Sequence, residues 1–318
     1  MFNEVIEKIN SAKKIAIFNH ISPDVDAHGS AFGLKLCLLA LGKQAEVFLE
    51  SGDDLTQEYK LIKGTETQGL LLEDCDLKIA VDCADKGRLG AFADSFSGET
   101  VAIDHHITHS PFAKTTLVVP SSPATGEIIF DLAEKMNVSI THDIAYNLYL
   151  AIVCDTGSFK FSSTTSHTHI VAAKLMETGI DISDMTKKLF DTKTFEYLEI
   201  YKTAIEKLEM YNNGTIALLA LTDKDFEKAN ISEADADGVV TIPINVSGVE
   251  VGVYIRSRNN GFKVSLRSNG KVNVSKIAAE FGGGGHERAS GFSLDISLNE
   301  AKKTVVERLT KSINGDTE

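Results

Sequence analysis

Short apolar runs that alternate with helical segments set the pattern of the first half of this chain. The runs lie at residues 14–19, 45–49, 77–81 and 100–103. Residues 29–41, between the first two runs, have the composition of a mostly buried helix. Apolar runs of this length form strands that are buried on both faces, and strands that alternate with helices pair in parallel. The pattern therefore predicts an α/β fold with a parallel sheet covered by helices on both faces.

Carboxylate and imidazole side chains follow these runs where the strands are expected to end. The candidate residues are His20, Asp24, Asp26, Asp82, Asp104, His105 and His106, and Asp155 joins them at the end of a later helix. Because parallel strands bring their carboxyl ends to one edge of a sheet, we expect these side chains to meet there. Oxygen ligands mixed with imidazole suit a divalent ion such as manganese or magnesium. Any one of these residues alone would be interpreted as a cap or turn residue.

The chain is long for a single hydrophobic core, and its pattern changes near Gly214. Strands and helices in the last third are consistent with a second, smaller α/β domain. We expect a metal-binding domain over residues 1–190, a connecting helix over 191–213 and the second domain over 214–318.

Four consecutive glycines at residues 282–285 stand out in the second domain. Such a run is either a flexible hinge or a place where backbone N–H groups approach a ligand. The charge nearby favours the ligand, since residues 251–290 contain seven lysines or arginines and only two acidic residues. Backbone N–H groups beside arginine and histidine form a phosphate cradle. The candidate substrate-binding residues are Arg256, Arg267, Gly284, Gly285, His286 and Arg288.

The overall charge limits the class of partner. A net charge of −13 argues against binding of long duplex nucleic acid and favours a small anionic ligand at the local basic region. The first residues lack the pattern of a secretory signal, and no apolar run approaches the roughly 18 residues of a membrane span. Four scattered cysteines fit a reducing compartment. We therefore expect a cytoplasmic protein that does not bind membranes.

Five motifs in this order resemble those of the DHH-family phosphoesterases that carry a DHH-associated C-terminal domain. The motifs are His20-x-x-x-Asp24-x-Asp26, Asp82 after a strand, Asp104-His105-His106, Asp155 after a helix, and the glycine-rich segment 282–291. The resemblance covers almost the whole chain. The chain length and the second domain are similar to the branch of bifunctional oligoribonucleases (nanoRNases) and pAp phosphatases. Val25 departs from the family pattern, in which many members have glycine, but it removes no ligand.

The resemblance implies a centre of two Mn²⁺ ions, with Mg²⁺ as the alternative. It assigns one ion to His20 and Asp24, the other to Asp26, His105 and Asp155, and a bridging position to Asp82. It further implies that Asp104 orients the ring of His105 through the ring N–H, and that His106 faces the scissile phosphate.

The function implied by the resemblance is hydrolysis of short oligoribonucleotides, of 3′-phosphoadenosine 5′-phosphate (pAp), or of both, by a water that two metal ions activate. The second domain would hold the far end of the substrate across a cleft. The expected partner is a small nucleotide or short single-stranded RNA, and a homodimer remains open. One alternative is hydrolysis of cyclic di-AMP or pApA. A manganese pyrophosphatase is disfavoured by the glycine-rich segment, and a non-catalytic nucleotide sensor by the complete set of ligands.

Overall fold

The structure is a computed structural model that describes residues 1–52, 59–233, 236, 238–258 and 261–315. The chain divides into two compact units, Met1–Asp191 and Thr192–Glu318. Each unit has its own sheet and its own buried apolar core. No helix among the described residues is long and apolar enough to cross a bilayer.

The first unit is built on a five-stranded sheet in which all strands are parallel. In chain order the strands are β1 (Lys14–Phe18), β2 (Gln44–Phe48), β3 (Leu77–Val81), β4 (Thr100–Asp104) and β5 (Thr115–Val118). They lie side by side in the order β2-β1-β3-β4-β5. This confirms the predicted parallel sheet. Strand β5 was not predicted, because its threonines are only partly buried and interrupt the apolar pattern.

Helices pack on this sheet through an apolar cluster that contains most of the core of the first unit. The helices are α1 (Phe2–Ser11), α2 (Val25–Ala40), α3 (Thr125–Lys135), α4 (His142–Asp155), α5 (Ser166–Met176) and α6 (Ile182–Thr186). A second cluster lies on the opposite face of the sheet, where Phe18 and Ala80 belong to one apolar cluster with Leu89 of the 3₁₀ helix Lys86–Phe92. Both faces of the strands are therefore buried, as their continuous apolar runs predict.

Close packing of α2 against α4 aligns two parts of the candidate site. A Cβ atom at Gly29 would lie 2.6 Å from the carbonyl oxygen of Asn147, and one at Gly33 would lie 2.6 Å from a methyl carbon of Leu148. Glycine at these positions allows the two helices to approach each other closely. Because the helices run antiparallel, the first turn of α2 lies beside the last turn of α4, which ends at Asp155.

The second unit contains a six-stranded mixed sheet. Its elements are α7 (Phe195–Glu206), β6 (Glu209–Tyr211), β7 (Ile216–Leu221), α8 (Asp223–Ala229), β8 (Val251–Arg258), β9 (Gly261–Ser268), α9 (Val274–Glu280), β10 (Gly284–His286), β11 (Ala289–Leu294) and α10 (Leu298–Asn314). The strand order is β10-β11-β9-β8-β7-β6; β7 and β8 pair in parallel, and the other neighbouring strands of this list pair antiparallel. The central strands β7, β8 and β9 pack against α9 and α10 through a shared apolar cluster.

The helix in the segment 191–213, where a connecting helix was predicted, is shorter than that segment. Helix α7 begins after its cap Thr194 and stops at Glu206. The residues that follow form β6, because Met210 and Tyr211 pair with β7 across a tight turn whose three residues, 212–214, all have left-handed backbones. A helical pattern in the sequence therefore gave way to strand pairing, which contributes backbone hydrogen bonds that local propensity does not reveal.

Candidate metal centre

The loop after β1 and the first turn of α2 supply three of the candidate ligands. Asp24 caps α2, and its Oδ1 accepts the N–H of Ala27 at 3.0 Å. Asp26 is buried in the first turn, where its Oδ1 accepts the N–H of Gly126 at 3.0 Å and its Oδ2 accepts the N–H of Thr125 at 2.8 Å. The amino end of α3 thus fixes the Asp26 carboxylate, which is where a helix favours negative charge.

Asp82 lies at the centre of the site, directly after β3. Its backbone is left-handed (φ 57°), and its N–H donates to the carbonyl of Ile103 at 2.9 Å. The carboxylate is buried: Oδ1 accepts the hydroxyl hydrogen of Thr125 at 2.9 Å, and Oδ2 lies 3.7 Å from Nε2 of His20. An unfavourable backbone conformation that the surrounding structure holds in place is typical of a functional site.

His105 turns one ring nitrogen towards the carboxylates. Its Nδ1 lies 3.3 Å from the carbonyl oxygen of Ser122, so that nitrogen is the donor. Its Nε2 lies 3.4 Å from Asp155, 3.5 Å from Asp82 and 3.9 Å from Asp26. A hydrogen bond on one ring nitrogen leaves the other as the metal-binding atom in many metal sites.

The structure brings all six candidate metal ligands together at the carboxyl edge of the sheet. Among the described residues, donor atoms that lie within 4.8 Å of one another form three groups, which are His20, Asp24 and Asp82; Asp26, His105 and Asp155; and Asp82, His105 and His106. Asp82 belongs to two of the groups. The first two groups hold the residues that the family resemblance assigns to the two ions, and that assignment stays a prediction.

The electrostatics of the cluster fit divalent cations. Burial raises the pKa of Asp82 well above its usual value, and the charge of Asp26 raises it further. Burial and then the charges of Asp26 and Asp24 raise the pKa of Asp155 to about 8. The ion pairs that Asp26, Asp82 and Asp155 make with other described residues are all with histidines. Crowded oxygen and imidazole donors of this kind suit two divalent ions.

The expectation that Asp104 orients the ring of His105 is wrong. Asp104 is fully buried, and its Oδ1 accepts a hydrogen bond of 2.7 Å from Nδ1 of His106. Its Oδ2 accepts one of 2.6 Å from Nδ1 of His109, whereas His105 donates only its backbone N–H to Asp104. The ring of His105 instead faces the loop before α3.

Charge in the Asp104 cluster is arranged to favour a protonated His106. Burial raises the pKa of Asp104, but hydrogen bonds from His106 and His109 outweigh it, and the pKa lies below the usual value. The hydrogen bond that His106 donates to the Asp104 carboxylate in turn raises the pKa of His106, against the opposing effect of burial. The His106 side chain is 40% exposed, so its Nε2 can reach a substrate.

Comparison with known proteins identifies the family. Residues 14–152 match the N-terminal domain of the DHH family, and residues 211–312 match the DHHA1 domain. The chain is 32% identical to the bifunctional oligoribonuclease and PAP phosphatase NrnA of Thermus thermophilus, over 94% of this chain and 90% of that protein. The chain belongs to the DHH family. As a DHH phosphoesterase it is a hydrolase, which confirms the enzyme class expected from the sequence.

Two further proteins are similar to this DHH chain. The crystal structure of an exopolyphosphatase-related protein from Bacteroides fragilis superposes with a TM-score of 0.84 at 27% identity, over 97% of this chain and 96% of that one. The cyclic-di-AMP phosphodiesterase GdpP of Geobacillus thermodenitrificans is 28% identical over 97% of this chain, but the match spans only 49% of GdpP.

Thr125 and Gly126 belong to the DHH site, although the sequence analysis did not single them out. Thr125 contacts both Asp26 and Asp82, and Gly126 donates to Asp26. A Cβ atom at Gly126 would lie 2.7 Å from the methyl group of Ala151, so glycine permits the close packing of α3 on α4. The available signal was the Thr-Gly-Glu sequence at the start of a helix, immediately after a turn-rich segment.

In the DHHA1 domain, Arg267 and His286 lie on the same face of the sheet. Ala289 on β11 is paired with Arg267 on β9 and with His286 on β10, so the three side chains point to one side. Arg256 forms an ion pair with Glu233. Arg288 is exposed and lies beside Gly270.

The glycine run of the DHHA1 domain has a packing reason at two of its positions. A Cβ atom at Gly283 would lie 2.2 Å from the carbonyl oxygen of Gly291. Gly285 has a φ of 138°, and a Cβ atom there would lie 2.6 Å from the carbonyl oxygen of Ala289. Gly284 has open space where its side chain would be. Because Gly284 and Gly285 belong to β10, which pairs with β11, this part of the run is a strand and not a bare hinge.

Proposed function

We propose that this protein is a divalent-metal-dependent phosphoesterase that hydrolyses short oligoribonucleotides and pAp. The observation that carries the proposal is the close approach of two groups of candidate ligands. Asp82 belongs to one group with His20 and Asp24, and it lies 3.5 Å from His105 of the other group. Similarity to NrnA over nearly the full chain supports the substrate class. The net charge of −13 supports short substrates over duplex nucleic acid.

In this proposal, one Mn²⁺ or Mg²⁺ ion would be held by the group of His20, Asp24 and Asp82, and a second ion by the group of Asp26, His105 and Asp155. When bound, such ions polarise phosphoryl oxygens and lower the pKa of water. Asp26 is held by the amino end of α3 and Asp82 by Thr125, so the ligands are positioned before any metal arrives. Asp155 and His105 contribute from α4 and from the end of β4.

His106 is the proposed proton donor. Its Nδ1–H is engaged by Asp104, so the exposed Nε2 is left for the substrate. The raised pKa of His106 keeps the ring protonated nearer neutral pH, where it stabilises negative charge on a phosphate or protonates the leaving oxygen.

Arg267 and His286 are the proposed phosphate-binding residues of the DHHA1 domain. They share one face of the sheet with Ala289 between them, so a phosphate can approach both without a large side chain in the way. The N–H of Gly284 and the side chain of Arg288 are further candidates. Arg256 and Gly285 are weaker ones, because Arg256 is paired with Glu233 and because the backbone of Gly285 packs against Ala289.

The substrate test compares several phosphates with one purified protein. We expect Mn²⁺-dependent release of phosphate from pAp and of mononucleotides from short RNAs of graded length, and no turnover by Asp82→Ala with its fold intact. Turnover that survives a chelator, or that persists in Asp82→Ala, would overturn the metal proposal.

Cyclic di-AMP and pApA form the second candidate substrate class, which the similarity to GdpP supports. They are offered in the same assay, together with pyrophosphate. Preference for cyclic di-AMP over pAp would favour this alternative. If pyrophosphate were the one substrate turned over, both nucleotide substrate classes would be rejected in favour of a pyrophosphatase. Tight nucleotide binding without turnover would indicate a non-catalytic sensor.

The phosphate-binding residues are tested by Arg267→Ala and His286→Ala. We expect about tenfold loss of kcat/KM on pAp for each variant, in the range of a lost charge-assisted hydrogen bond, and little change on a generic phosphodiester. Arg308→Ala is the matched control, since Arg308 lies on α10 in the same unit and pairs with Glu280. Equal losses on both substrates would contradict the assignment.

A further inference from the structure

An unusual turn follows Asp155 at the end of α4. Three consecutive residues, Gly157, Ser158 and Phe159, have left-handed backbones with φ of 55°, 60° and 63°. This conformation is unfavourable for residues that carry a side chain, and it rarely occurs in a row. The turn directly follows a candidate metal ligand, which is where such conformations tend to have a function.

Thr156 holds this turn in place. Its side chain is fully buried, and its carbonyl oxygen accepts the N–H of Lys160 at 2.9 Å and of Phe161 at 3.0 Å. Its hydroxyl oxygen accepts the N–H of Phe159 at 3.0 Å. Three hydrogen bonds to one residue make the turn a defined structure and not a loose loop.

The turn separates two phenylalanines. The ring of Phe159 is directed inwards, stacked on His169 at 5.0 Å and near Tyr149 at 6.2 Å. Phe161, by contrast, is 58% exposed. Its ring lies over Gly157, since a Cβ atom there would come within 2.5 Å of ring carbons Cε1 and Cζ. Glycine at position 157 therefore allows the exposed ring to rest on the backbone two residues after Asp155.

We propose that Phe161 is a stacking platform for a nucleobase of the substrate held at the metal centre. This inference rests on the proposed function, because it assumes a nucleotide at the site. An aromatic ring that is exposed yet fixed beside a phosphate-processing centre offers an apolar surface to a base at little cost in conformational entropy. Every base has a π face, so the platform binds bases without strong sequence preference. Lys160, exposed beside it, supplies a positive charge for a backbone phosphate.

Binding can be measured separately from turnover by tryptophan fluorescence. The chain contains no tryptophan of its own, so an introduced tryptophan is the single reporter of this kind. Phe161→Trp creates a single fluorescent reporter at the platform. In Ca²⁺, titration with pAp is expected to quench its emission, whereas a base-free analogue of pAp leaves the emission unchanged. Phe2→Trp is the matched control, since the ring of Phe2 lies against Lys135 at the carboxyl end of α3, whereas the amino end of α3 contacts the site. Equal responses of the two reporters, or quenching by the base-free analogue, would overturn the platform.

Activity provides the second measurement. Phe161→Ala is expected to raise KM for pAp about tenfold, within the range of a lost base–aromatic contact, and to leave kcat/KM for the base-free analogue unchanged. Phe161→Tyr keeps the ring and should retain the KM of the unaltered protein. Equal loss on both substrates, or no loss on either, rejects the platform while Mn²⁺-dependent hydrolysis by the unaltered protein still supports the proposed function. Failure of the unaltered protein to bind or hydrolyse any nucleotide would reject both.

Discussion

The carboxylate of Asp104 accepts a hydrogen bond of 2.6 Å from Nδ1 of His109, a residue outside the candidate metal ligands. Nε2 of His109 is buried and has no hydrogen-bond partner among the described residues, and the ring packs against Phe112. The contact with Asp104 is thus the main polar interaction of His109. It supports the buried carboxylate from the side opposite His106, and so helps to fix the proposed proton donor.

His109→Leu should lower both stability and activity, because it leaves one oxygen of a buried carboxylate without its donor. The expected loss of stability is about 1–3 kcal/mol. His109→Asn keeps an N–H donor and should recover most of the loss. Urea unfolding and kcat on pAp measure the two effects. Equal stability and equal kcat of the His109→Leu and His109→Asn variants would show that the hydrogen bond contributes to neither.

Asp104→Asn should shift the pH dependence of activity. The hydrogen bond that His106 donates to the Asp104 carboxylate raises the pKa of His106, so replacing the carboxylate by a neutral amide lowers that pKa. If protonated His106 is the active form, activity falls as the pH rises through the His106 pKa, and the alkaline limb moves to lower pH in the variant. Histidine titration by NMR and the pH profile of kcat measure this. An alkaline limb that stays in place would exclude His106 as the proton donor.

Thr125→Val should weaken metal binding without unfolding the protein. The substitution removes the hydroxyl that donates to Asp82 and preserves the backbone N–H that donates to Asp26. Loss of such a supporting hydrogen bond typically costs about 10–100-fold in metal affinity. Thr125→Ser keeps the hydroxyl and serves as the control. Calorimetric titration with Mn²⁺ measures the difference, and identical affinities in the two variants would contradict the prediction.

Asp155→Asn should change how the stability of the metal-free protein depends on pH. The folded protein keeps Asp155 protonated between the ordinary pKa of 3.8 and about 8, whereas the unfolded chain does not. Stability contributed by this group is therefore lost as the pH rises through that window. The variant should show a shallower decline in urea midpoint over the same window, and less stabilisation by added Mn²⁺. A decline as steep as that of the unaltered protein would contradict the raised pKa.

Lys35→Met should destabilise the first unit strongly. Nζ of Lys35 lies 2.9 Å from Oε1 of Glu46, and both side chains are almost fully buried. Removal of one partner leaves a buried charge, at a cost of about 3–5 kcal/mol. Lys174→Met is the control, because it breaks an exposed pair with Glu134 that is worth about 0–1 kcal/mol. Urea unfolding should separate the two variants clearly, and equal losses would show that burial of the Lys35 pair is unimportant.

The sequence alone determined the first four parallel strands of the first unit and the candidate metal-binding side chains. Buried parallel strands must be apolar on both faces, so residues such as those of β3 are recognisable without a structure. A carboxylate directly after such a strand, as at Asp82, has to lie at the sheet edge. The sequence also placed Asp155 at the end of a helix, and α4 does end at that residue.

Only the tertiary structure decided which partner each polar group takes. The contact of Asp104 with His109 depends on the direction of a single side chain, and the contacts of Thr125 join it to Asp26 and Asp82, which are distant in sequence. The end of α7 depends on the pairing of β6 with β7. Periodicity reports which face of an element is buried, but hydrogen bonds depend on ångström-scale positions that packing fixes. The residue types could therefore be predicted from the sequence, and their pairing could not.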